Sequence, residues 1–121
     1  MATVIKIKNL PEGYQSIITN GTHTIVGDEP LKSKGTDLGL SPSELVLSGL
    51  AMCKVTTIRS IARQKGWEIG EVTAELSQEV KLEADGLKTN VIIAIHIEGK
   101  ISQEQKDELL KQANASIFIV N

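Results

Sequence analysis

The residue best suited to carry chemistry is Cys53, the one cysteine among 121 residues. It lies in the stretch Leu-Ala-Met-Cys-Lys-Val, and a lone cysteine in an apolar stretch is usually a small core residue. Two cations are close in sequence, because Lys54 follows directly and Arg59 comes about a turn and a half later. A nearby cation lowers the pKa of a thiol from about 8.5 and raises the fraction of nucleophilic thiolate. The residues alone therefore favour an inert core cysteine, with Cys53 as a nucleophile activated by these cations as the alternative.

The second candidate is Glu44, whose carboxylate could orient a cation or move a proton beside the thiol. Ser41, three residues earlier, completes an S-x-x-E capping box, which explains a glutamate at this position without any chemistry. Nine residues at about 100° each place Glu44 on the opposite side of a straight helix from Cys53. The capping role is therefore favoured, and Glu44 could meet a Cys53 only across a dimer interface or through a kink.

No other residues form a recognisable catalytic or binding pattern. His23 and His96 fall on predicted strands, and nothing in the sequence brings either beside Cys53, so we expect ordinary sheet residues. Two histidines and one cysteine far apart lack the spacing of zinc ligands. The glycines match neither G-x-G-x-x-G nor G-x-x-x-x-G-K. We therefore expect no metal and no cofactor.

The composition describes an aliphatic chain with a nearly balanced charge. It is 40% hydrophobic with three aromatic residues, and 13 basic against 15 acidic residues give a net charge of -2. Such a chain is long enough for one domain, 1–121, and offers no basic patch or aromatic platform for nucleic acid. The least charged stretch, 38–53, is shorter than the roughly 20 apolar residues of a membrane span. With no apolar block at the N-terminus either, we expect a cytoplasmic protein with no membrane contact.

Hydrophobic periodicity predicts an α+β domain. Period-two alternation predicts strands over 4–8, 14–19, 22–26, 67–82, 88–98 and 117–120. Asn20-Gly21 and Asp85-Gly86 are turn signals between them. Capping boxes at Ser41 and Ser102 predict a long helix over 42–65 and a shorter one to about residue 113. The polar segment 27–40 is expected to be a loop.

The long helix needs more cover than one chain of this size provides. It has no charged residue between Glu44 and Lys54, whereas Arg59, Arg63 and Lys65 stand in its last turns. We therefore expect its N-terminal half to be buried on nearly all sides and its C-terminal half to reach solvent. One sheet covers about one side, so a second copy of the chain is expected to supply the rest as a homodimer. Apolar residues on both faces of strand 88–98 predict a central strand.

Several motifs together resemble the OsmC/Ohr family, in the branch whose loop begins Asp-Glu-Pro. They are Asp28-Glu29-Pro30, the loop through Gly35 and Asp37-Leu38-Gly39, Ser41-Pro42-Ser43-Glu44-Leu45, Ser48-Gly49-Leu50-Ala51-Met52-Cys53, and Ala62-Arg63-Gln64-Lys65-Gly66-Trp67. The resemblance implies an antiparallel sheet wrapped around a long central helix, in an intertwined homodimer with active sites at the subunit interface. It also implies that Cys53 is a peroxidatic cysteine, assisted by Glu44 and an arginine, whose sulfenic acid a second cysteine resolves before a dithiol restores the enzyme.

Two family features are missing from this sequence. The second cysteine of the family follows an Ala-x-x-Cys-Pro pattern, but here Ala113 leads to Ser116 and Ile117. The family arginine also has no counterpart around Gly13 and Tyr14. The predicted function is thus a one-cysteine, thiol-dependent peroxidase of the oxidative stress response, reducing organic or hydrogen peroxide with an external thiol or dithiol. The alternative is a non-catalytic homodimer that could bind a small apolar ligand.

Overall fold

The computed structural model describes residues 2–115, which form an α+β fold of two helices and two antiparallel sheets. The chain divides into two compact units, Met1–Ser48 and Gly49–Asn121. The long helix runs from the first unit into the second. The single domain over 1–121 stays a prediction.

The first unit contains a three-stranded antiparallel meander, which corresponds to the first three predicted strands. Its strands are β1 (Lys6–Asn9), β2 (Ser16–Thr19) and β3 (Thr24–Gly27), in the order β1-β2-β3. Ile18 pairs with Ile7 on one side and with Ile25 on the other, so the three isoleucines share one face of the sheet. Gly21 takes a positive φ of 98° in the turn before β3, as the Asn-Gly signal predicts.

The loop after β3 is more ordered than its composition suggests. It contains a short 3₁₀ turn over Leu31–Ser33, and two glycines lie against backbone elsewhere in the loop. A Cβ at Gly35 would collide with the carbonyl of Glu29, and one at Gly39 would collide with the carbonyl of Val26. The loop therefore needs glycine at both positions because its backbone approaches the preceding chain so closely.

Helix α1 (Pro42–Lys65) begins and ends where the sequence predicts. Gly66 has a φ of 69°, and its N–H donates to the Arg63 carbonyl while Trp67 N–H donates to that of Ala62. These two bonds are the Schellman pattern, which occupies carbonyls that the helix end would leave free. The Trp67 ring then packs on the core, with Lys65 Nζ 5.1 Å from its centre.

The second unit holds the buried core. It contains β4 (Ile69–Glu83), β5 (Gly86–Gly99) and helix α2 (Gln103–Ala115), besides the rest of α1. Side chains from α1, β5 and α2 meet in one cluster, whose buried members are Ile58, Ala62, Ile97, Leu109 and Ala113. The second capping box is confirmed, because Ser102 and Gln105 exchange hydrogen bonds of 2.8 and 3.1 Å. The predicted strand over 117–120 lies outside the described residues.

Two sequence-based predictions about burial depend on a second copy of the chain or on residues outside those described, so the single chain leaves them as predictions. No residue from 45 to 53 of α1 is buried, whereas Lys54, Ile58 and Ala62 are. The reason is that the core cluster of the second unit forms on the C-terminal half of α1, beyond the apolar stretch. Strand β5 is also not central within the described residues, since it pairs with β4 alone and leaves Ile92 61% exposed.

By length and composition α1 could cross a membrane, a test that core helices of soluble proteins also pass.

The turn end of the β4–β5 hairpin has no cover. Every residue from 77 to 92 is exposed, and we call this segment the hairpin arm. Alternation puts Val80, Leu82 and Leu87 on the same face as Val72 and Ile97, which pack in the core. These three arm residues are 59, 82 and 73% exposed. A two-stranded hairpin alone is only marginally stable in water, and no other element within residues 2–115 covers the apolar face of the arm.

We expect the Ser41→Ala variant to lose about 1 kcal/mol of unfolding free energy, because Ser41 Oγ accepts the Glu44 N–H at the start of α1. Urea unfolding measures this loss. Ser43→Ala is the matched control, since it changes the same first turn. Equal stability of Ser41→Ala and Ser43→Ala would show that the cap contributes nothing.

Candidate functional site

Cys53 is partly buried on α1, at the border between the uncovered and the covered half of the helix. Its neighbours differ sharply, since Met52 is 69% exposed and Lys54 only 8%. The Cys53 carbonyl accepts a hydrogen bond of 2.8 Å from the Thr57 hydroxyl one turn later. Cys53 is therefore less buried in the single chain than Ile58 and Ala62 of the same helix.

The two cations near Cys53 in sequence are both held by backbone carbonyls. Lys54 Nζ donates to the Ala113 carbonyl of α2 at 3.4 Å. Arg59 donates to the carbonyls of Ile69 and Gly70 at 3.2 and 2.7 Å, where the ladder of β4 is irregular. These hydrogen bonds connect α1 to α2 and to the start of β4. Activation of the thiol by either cation stays a prediction.

Glu44 forms the capping box that the sequence predicts. Ser41 N–H donates to Glu44 Oε1 at 2.9 Å, and Glu44 N–H donates to Ser41 Oγ at 3.3 Å. The bond from the Ser41 backbone, followed by that from its side chain, lowers the pKa of Glu44. Glu44 is therefore an anion that stabilises the start of the helix. A part for it beside the thiol stays a prediction.

Both histidines are exposed, and only His96 lies on a strand. His23 precedes β3, where its N–H donates to Asn20 Oδ1, and His96 stands opposite Thr73 on β5. Among residues 2–115, no three His, Cys, Asp or Glu side chains lie close enough to hold a metal ion.

Sequence reasoning about chemistry missed Asp28, the most heavily hydrogen-bonded carboxylate of the first unit. Asp28 is 3% exposed and directly follows β3. Its donors are the Thr36 hydroxyl at 2.5 Å and the N–H groups of Tyr14, Glu29, Thr36 and Leu38 at 2.7 to 3.3 Å. The sequence signal for this role is an aspartate placed after a strand and before a polar loop. Aspartate side chains often accept hydrogen bonds from nearby backbone N–H groups in turns.

These donors keep Asp28 ionised. The Thr36 hydroxyl is the main cause that lowers its pKa, burial opposes the shift, and the backbone N–H groups add to the lowering. Because the donors come from both the β1–β2 turn and the loop after β3, the carboxylate ties these two segments together. Tyr14 and Glu29 are thereby fixed in place.

We expect the stability of the protein to depend on Asp28 at acid pH. Its pKa is lowered on folding, so its contribution is complete above the unfolded value of about 4 and is lost as pH falls towards the native value. The Asp28→Asn variant should be less stable at pH 7 and lack this part of the acid loss in urea unfolding. Asp37→Asn, in the same loop, is the control. An unchanged pH profile for Asp28→Asn would contradict the assignment.

Solved structures of several bacterial proteins have a similar fold. A Psychrobacter arcticus protein named for osmotic stress induction and a detoxification response is 24% identical, with TM-score 0.77 over 93% of this chain and 82% of that one. The OsmC like protein from Mycoplasma pneumoniae is 21% identical, with TM-score 0.73 over 94% and 81%. An organic hydroperoxide resistance protein OsmC from Legionella pneumophila is 21% identical, with TM-score 0.68 over 95% and 83%.

Comparison with curated proteins finds no match. The family model described as OsmC-like protein matches residues 35–121, which include Cys53 and both helices. The match begins after Asp28-Glu29-Pro30, so the branch with this loop stays a prediction. Because the family model covers more than half of the sequence and the fold agrees, the chain belongs to the OsmC-like protein family.

Proposed function

We propose that the protein is a thiol-dependent peroxidase that uses Cys53 as its single reactive sulfur. The observation that carries this proposal is the position of Cys53, partly accessible on the long helix of a chain in the OsmC-like family. Relatives of the same fold are named for organic hydroperoxide resistance. A peroxide-related stress response is therefore the general role, and peroxide reduction by Cys53 is the specific one.

The chemistry needs one cysteine and an external thiol. The Cys53 thiolate attacks one oxygen of the peroxide, so an S–O bond forms and the O–O bond breaks. The other oxygen leaves, takes up a proton and becomes an alcohol or water, while Cys53 becomes a sulfenic acid. An external thiolate then displaces water from this sulfur, and a second thiol releases Cys53 from the mixed disulfide. The proposal implies a reducing compartment such as the cytoplasm, where thiols are kept reduced.

The proposed enzyme is a homodimer, and two exposed apolar surfaces support this. Residues 45–53 of α1 include Val46 and Met52, which are 48 and 69% exposed. The hairpin arm exposes a further row of apolar residues on one face. Exposed apolar residues grouped on one element are typical of interfaces in soluble proteins.

A non-catalytic homodimer that could bind a small apolar ligand is the second candidate. This candidate is favoured because the side chains of Lys54 and Arg59 donate to backbone carbonyls, and no hydrogen bond within residues 2–115 joins either cation to the Cys53 thiol. The sequence also has no second cysteine to resolve a sulfenic acid. The two candidates differ in whether Cys53 reduces peroxide catalytically.

We expect the wild-type protein to consume cumene hydroperoxide catalytically with dithiothreitol, and the Cys53→Ser variant to fall to the rate of the reductant alone. The physical reason is that serine at neutral pH supplies no comparable nucleophile. Peroxide loss with time measures both rates. Met52→Leu is the matched control, because it removes the neighbouring oxidisable sulfur and should retain turnover. Equal peroxide loss in wild type and Cys53→Ser would support the non-catalytic candidate instead.

We expect sedimentation equilibrium to show a dimer at micromolar concentration, and the Val80→Glu variant to dissociate at least ten times more readily. Val80 lies on the apolar face of the hairpin arm, so burial of a charge there would oppose association. Ser77→Glu adds the same charge on the other face of β4 and should remain dimeric. A wild-type monomer at this concentration would contradict the proposed dimer.

A further inference from the structure

We draw no further inference here: the strongest candidate, the cavity of about 480 Å³ between the last turns of α1 and the start of β4, is lined by Arg59, whose guanidinium already donates to the carbonyls of Ile69 and Gly70, and nothing in the structure shows what would fill it.

Discussion

In the single chain only the C-terminal half of helix α1 has buried residues, and this uneven burial is the constraint on which the rest of the structure depends. The C-terminal half is covered, because Ile58 and Ala62 are closed off in the core with Ile97 and Leu109. The preceding residues, 45 to 53, have no comparable cover, although they are the most apolar part of the helix. Cys53 stands at this border. The exposure of Cys53 therefore depends on the packing of both halves of the helix and not only on the residues beside it in sequence.

The first unit is organised by hydrogen bonds to one buried charge more than by a core, since its sheet leaves Ile7 and Ile25 exposed. Asp28 gathers donors from the turn at Tyr14 and from the loop as far as Leu38. A buried carboxylate is tolerated only when donors replace its water, and here four N–H groups and a hydroxyl do so.

Features governed by a few neighbouring residues could be predicted from the sequence, and features governed by distant contacts could not. Local signals were sufficient for the cap at Ser41, the turn at Gly21 and the helix end at Gly66. Each of these depends on residues within a few positions, so the residue types alone predict it. Burial on α1 depends on which elements pack against it, and apolar composition alone does not show that the core of the second unit gathers on Ile58 and Ala62. The hydrogen-bonding role of Asp28 could not be predicted, because its donors are spread from residue 14 to residue 38. Cys53 and Glu44 could be named from the sequence, whereas the chemical roles predicted for them stay predictions.

The scarcity of aromatic residues gives each compact unit its own optical reporter. Trp67, the only tryptophan, packs on the core of the second unit, and Tyr14, the only tyrosine, stands in the first. The third aromatic residue, Phe118, lies outside the described residues. Tryptophan and tyrosine absorb and emit at different wavelengths, so the melting of the two units can be followed separately in one unlabelled sample. Coincident transitions would mean that the units unfold as one cooperative body, and separate transitions that the helix joining them transmits little stability.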